Sequence, residues 1–202
     1  MDTWVFILIV MAVCAAALLA TEVGQQALVD ERVRVIEGFG GSVDDPTYAR
    51  LQANPPWWVY FTSGGRLLLT PELTLLMAVV VWVIARAATP ATTFTQALAI
   101  VVHASVVLAL GQVIATPIHY VRESLTSPLN LAAILPGMDE GTAPARIFGA
   151  IDLFAVWWLV LMAIGLSALT GRATRKYVFW FGAAYLALAA VMAGVIAAVG
   201  GT

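Results

Sequence analysis

The chain has 202 residues, of which 61% fall in the hydrophobic set and 11% are charged, with a formal net charge of −2 and a mean hydropathy of +0.92. A single water-soluble core of this size does not enclose that much apolar surface, so the expected solvent is a lipid bilayer. Ten Lys and Arg, dispersed among twelve Asp and Glu, leave no basic face for nucleic acid.

A helix rises 1.5 Å per residue and the hydrocarbon core is about 30 Å thick, so a span needs about 17 to 25 mostly apolar residues. Five stretches qualify, at about 4–20, 71–86, 94–118, 146–170 and 177–199. The expected fold is therefore an all-α integral membrane protein, a single domain built as a five-helix transmembrane bundle. In the first span, "CAAALLATE" offers small residues for signal cleavage. Met1 and Asp2 supply no basic leader, so a retained span is expected. Cys14 follows Val13 where a lipidated cysteine wants a small neighbour, and as the sole cysteine it is read as packing.

Residues 21–70 are too polar to insert. "TEVGQQALVDERVRVIEGFGG" puts Val29, Val33 and Ile36 on one side of a helix with Asp30, Glu31, Arg32 and Arg34 elsewhere, which predicts short amphipathic helices at the membrane surface. "NPPWWVYF" then brings Trp57, Trp58 and Tyr60 before the second span, where aromatic rings anchor at headgroup level. Thr70, Pro71 and Glu72 read as the cap, first-turn proline and first-turn acid of that span.

In the third span Ser105, Gln112 and His119 recur at heptad spacing, a drift of about 20° per step, and so form one polar stripe. His103 lies nearly opposite, which argues against a shared metal. The fourth, "GAIDLFAVWWLVLMAIGLSALTG", carries an aspartate close to its start. Ala155 and Ala163 share the face of Asp152 while Trp157 and Trp158 point away, so the carboxylate is expected to face the bundle. It lies roughly 8 to 12 Å along the helix, near the level of Gln112 and His119. An ionised aspartate there needs partners, and the candidates are His119, Gln112, Arg122 and Arg146. An interhelical polar clamp is the expectation, against a proton or substrate relay and against an acid favoured by the helix dipole. In the fifth span Ala189, Ala193 and Ala197 run beside Ala190, Gly194 and Ala198, two small-residue rows suited to close packing within the chain or between two copies.

With alternating spans, Arg86, Arg172, Arg175 and Lys176 share one end with the N-terminus. The long connections at the other end mix their arginines with most of the acids. The density of Lys and Arg in short loops predicts a cytoplasmic N-terminus and an extracytoplasmic C-terminus in the plasma (inner) membrane. No phosphate-binding glycine loop, metal-ligand spacing, HExxH or nucleophile elbow occurs. The chain is expected to be no enzyme, with no metal and no cofactor.

The stretch "TTFTQALAIVVHASVVLALGQVIATPI", the following "SPLNLAAILPG" and then "IFGAIDLFAVWWLVLMAIGLSALTG" resemble the Yip domain family, five-span proteins named in eukaryotes for interacting with Ypt/Rab proteins. The resemblance covers about residues 65–195. Its most specific part is Asp152, Phe154, Trp157 and Gly165, preceded by Ser127, Pro128 and Leu129. Eukaryotic members act in vesicle traffic and carry a long cytosolic N-terminal region, whereas only Met1 to Thr3 precede the first span here. The resemblance therefore implies the compact prokaryotic branch, beside membrane transport systems such as ABC-type exporters. It also implies that Asp152 fixes the shared bundle. Two functions are expected. One is a non-enzymatic scaffold or accessory subunit contacting lipid, other integral membrane subunits or a second copy. The other is a small transporter or channel component with a polar path along Ser105, Gln112, His119 and Asp152.

Overall fold

A computed structural model describes residues 2–53, 57–135 and 143–199. The described residues are helical almost throughout. Helix α1 (Asp2–Leu19) turns into α2 (Glu22–Gly38), which is capped by Thr21, whose hydroxyl accepts from Gly24 N at 3.0 Å. The turn is tight enough that a Cβ on Gly24 would stand 2.0 Å from the Leu18 carbonyl oxygen. Only glycine fits there. Of the residues expected on one side of α2, Val29 is buried and Val33 and Ile36 are half-buried, with Ala27 buried beside Val29. A short α3 (Asp45–Ala53) follows.

Helix α4 (Trp57–Ala88) is a single 32-residue helix with Pro71 inside it, so Thr70 is not a helix start. The proline withdraws one donor from the backbone ladder, but the leucines before it continue the helical turn, and membrane helices tolerate such a loss. The backbone of Trp57, Trp58 and Tyr60 belongs to α4, while the side chains of these expected interface aromatics lie outside the described residues. Thr93 starts α5 (Phe94–Ala104) with a reciprocal capping box, its N–H donating to Gln96 Oε1 at 2.9 Å and its hydroxyl accepting from Gln96 N at 3.4 Å. Helix α6 (Val106–Arg122) continues α5 past a local break at Ser105. It runs through Pro117 and beyond the expected end at 118. It stops where Glu123 turns left-handed at φ 50 and Ser124 N reaches back to His119 O at 3.2 Å.

Two short helices, α7 (Leu131–Ile134) and α8 (Ala143–Gly149), precede α9 (Leu153–Thr170) and α10 (Thr174–Val199). The fourth stretch, expected to be continuous from about 146, is broken at Ala150–Asp152. Segments long and apolar enough to cross a membrane are Asp2–Leu19, Thr70–Ala88, Phe94–Arg122, Leu153–Thr170 and Thr174–Val195. The expected five-span α-helical bundle is the architecture observed.

Its main core gathers Ala78, Val81 and Ala85 of α4, Ala97, Val101 and Ala104 of α5, Met162, Ala163 and Leu166 of α9, and Tyr177 of α10. These residues lie toward the short α4–α5 and α9–α10 connections. Ile7 of α1 joins Val102 and Ala109 in a second cluster, which docks the first span on α5 and α6. Of the two small rows on α10, Ala189 is buried, whereas Ala190, Gly194 and Ala198 are exposed. Ala197 has its side chain outside the described residues. Ala193 is half-buried, so the first row turns inward at Ala189 while the second is exposed.

Candidate functional site

At the end of the bundle bearing the long connections, polar groups interlock around the start of α9. Asp152 has extended backbone angles (φ −87, ψ 134) and stands at the N-cap, ahead of the helix. Its Oδ1 accepts from Phe154 N at 2.8 Å and Ala155 N at 3.1 Å, satisfying amides that the first helical turn leaves without partners. Oδ2 accepts from the Ser127 hydroxyl at 2.6 Å. Its backbone N–H donates to Tyr185 Oη at 3.2 Å, and the Tyr185 hydroxyl donates to Ala150 O at 2.7 Å. A tyrosine of the fifth span thereby holds the break that precedes the fourth.

The loop after α6 is tied to the same point. Asn130 and Asp152 form an isolated antiparallel bridge, with Leu131 N donating to Ile151 O at 2.9 Å and Leu153 N to Leu129 O at 3.1 Å. Buried Asn130 donates through Nδ2 to Ser127 O at 2.9 Å and accepts at Oδ1 from Ala133 N at 2.7 Å, which caps α7. Pro128 is buried between these anchors. Upstream, His119 is buried and its Nδ1 lies 2.7 Å from Ser124 O. Facing a carbonyl, that nitrogen carries the proton. With Ser124 N bonded to His119 O, the two residues close the end of α6 on each other. Arg34 of α2 then donates to Thr126 Oγ1 at 2.5 Å and to Glu31 at 2.6 Å, joining the two long connections.

These distances correct the expected partners of Asp152. Its hydrogen bonds go to Ser127 and to backbone amides, not to His119 or Gln112; Arg122 is exposed, and the side chain of Arg146 lies outside the described residues. The helical-face argument assumed that Asp152 was inside a helix, whereas the chain there is extended. Ser105, Gln112 and His119 also make no hydrogen bonds to one another. Ser105 donates to Val101 O at 2.8 Å and accepts from Trp158 Nε1 at 3.2 Å. Gln112 reaches only Thr116, one turn on, at 3.5 Å. The polar link between third and fourth spans inside the bundle is thus Ser105 to Trp158, a tryptophan that sequence reasoning set aside as pointing away from Asp152.

Ser127, Asn130 and Tyr185 were not singled out from sequence as partners of Asp152. The available signal was local: Asn130 and Asp152 each precede an apolar run in a position suited to a helix cap. The remaining residues of the fourth-span pattern have separate places. Phe154 packs on α6 so closely that a Cβ on Gly111 would lie 2.7 Å from its Cγ. Trp157 stands with its ring centroid 6.1 Å from that of Phe154 and is 46% exposed, on the membrane side. Gly165 lies under Ile100 of α5. The pattern joins the start of α9 to α6 through Phe154 and its second half to α5 through Gly165.

The carboxylate of Asp152 receives three donors, two backbone amides and one hydroxyl. Among the described residues no group of three or more His, Cys, Asp or Glu is placed to hold a metal.

No curated protein and no solved structure matches the chain. A family model described as Yip1 domain matches residues 2–196. With the match extending over nearly every residue of the five-span bundle, the chain belongs to the Yip1 domain family.

Proposed function

We propose that this protein is a non-enzymatic scaffold or accessory subunit of a membrane complex, associated with a transport system. The observation that carries the reading is the closure of the Asp152 knot. Its carboxylate is spent on two backbone amides and one hydroxyl, as suits a fastener and not a group that exchanges protons or substrate. The separation of Ser105, Gln112 and His119 into local bonds also disfavours a polar path through the third and fourth spans.

In this reading the protein sits in the plasma membrane with its N-terminus in the cytoplasm. The long connections, stitched together by Arg34 and Thr126, present the outward surface to a partner subunit. Purification from the native membrane in mild detergent, followed by mass spectrometry, tests the proposal. A stoichiometric integral membrane partner is expected. Recovery of the chain alone, from membranes in which crosslinking before extraction also finds no partner, would sink it.

A further inference from the structure

The end of the bundle opposite the Asp152 knot carries a band of unpaired cations. Arg86 lies in the last turn of α4, Arg172 in the turn between α9 and α10, and Arg175 and Lys176 in the first turn of α10. All are exposed, and none forms an ion pair with a described carboxylate. Asp2, in the first turn of α1, is the acid that shares this end.

The helix ends that carry these side chains are fixed against one another. Ala85 and Tyr177, the neighbours of Arg86 and Lys176, are buried in one cluster. The Ser167 hydroxyl donates to Arg172 O at 2.6 Å, Thr174 Oγ1 donates to Ser167 Oγ at 2.9 Å, and Thr170 and Tyr177 pair through their hydroxyls at 2.9 Å. Arg86 is placed further, its guanidinium carbon 5.3 Å from the ring centre of Trp82, whose indole N–H is itself held by Thr92 O at 3.1 Å.

Beneath the cations lies an aromatic band. One turn deeper on the same face of α10 as Arg175 and Lys176, about 6 Å along the axis, stand Phe179 and Trp180, which are 65% and 68% exposed and meet edge to face with ring centroids 5.5 Å apart. Cations above exposed rings match the vertical order of a phospholipid, with its phosphate outermost and its glycerol and acyl chains below.

We propose that this end of the bundle binds the headgroup of an anionic phospholipid, with Arg175 and Lys176 of α10 on the phosphate and the Phe179–Trp180 pair against the glycerol and upper acyl region, while Arg86 and Arg172 add positive charge at the same membrane surface. The inference is independent of the accessory-subunit reading. The rings favour a lipid over a soluble phosphate, because their depth is reached by acyl chains.

Native mass spectrometry of the full chain in mild detergent, with equimolar phosphatidylglycerol and phosphatidylcholine, tests it. Wild type is expected to retain phosphatidylglycerol in preference, by about fivefold for each cation engaged. The variant Arg86→Gln, Arg172→Gln, Arg175→Gln, Lys176→Gln loses the preference. Arg86→Lys, Arg172→Lys, Arg175→Lys keeps it, as does Arg50→Gln, Arg122→Gln at the other end. If the quadruple variant fails to fold, Arg175→Gln, Lys176→Gln is expected to lower the ratio by about twenty-five-fold on the same scale. The proposal is overturned by equal retention of the two lipids on wild type, by an unchanged ratio in the glutamine variants, or by an equal fall in the Arg50, Arg122 control. Displacement of the lipid by glycerol phosphate at the same concentration would also overturn it, since a soluble phosphate would then suffice.

Discussion

Replacing Asp152 with alanine removes the cap of α9 and the acceptor of Ser127 together. The two amide bonds at the helix start are worth about 1 kcal/mol, with a range of about 0.5–2. Leaving the half-buried Ser127 hydroxyl without its acceptor costs about 1–3 kcal/mol more. A loss of roughly 2–4 kcal/mol is expected, which for a chain of this size lowers Tm by about 4–16 °C. Asp152→Asn keeps an oxygen for Phe154 N and Ala155 N, and the Ser127 hydroxyl can rotate to accept from the new amide, so a loss below about 1 kcal/mol is expected. Thermal unfolding of the purified variants in one detergent measures both. A cycle with Ser127→Ala isolates the side-chain pair, with a coupling of about 1 kcal/mol expected. If Asp152→Ala matched wild type, or if Asn destabilised as much as Ala, the fastening role derived from these distances would be refuted.

Gly111→Ala is expected to cost about 1–3 kcal/mol, because the new methyl meets the Phe154 ring at its attachment point; Gly182→Ala, with open space around it, is expected to be neutral or slightly stabilising in the same unfolding assay. Trp158→Phe removes the Nε1 bond to Ser105 while keeping most of the ring, and a loss of about 1 kcal/mol is expected, with Ser105→Ala adding little to it in the double variant. Tyr48 of α3 donates its hydroxyl to Asp30 of α2, and that bond, followed by burial and the Asp30 charge, raises its pKa above the usual tyrosine value. Since the neutral phenol is the form favoured on folding, its contribution to holding α3 on α2 is present below the unfolded pKa of about 10 and is lost as pH rises through the higher folded value. The ultraviolet difference titration of wild type against Tyr48→Phe is expected to show a midpoint above 10.

Hydropathy and length made the spans legible, because a run of about 20 apolar residues has few other uses in a chain this size. The face expected for Asp152 fails because the chain leaves the helix before it. Asp152 was assigned a face by counting at 100° per residue, but Ala150 to Asp152 are not helical, so the count had no physical basis there. Its partner Ser127 comes from a loop 25 residues away, whose placement depends on the backbone pairing of Asn130 with Asp152. Periodicity carries no information about that pairing. Pro71 misled in the other direction, since a proline that would begin a helix in water is tolerated inside one in a membrane.

Whether Asp152 is a fastener or a relay is tested most directly by proton flux into liposomes reconstituted with equal amounts of wild type or folded Asp152→Asn. Wild type and variant are expected to show the same pH-driven leak, at the level of protein-free vesicles. Flux above that level in wild type, lost in Asp152→Asn while its Tm stays near that of wild type, would contradict the account and make the carboxylate part of a conducting path.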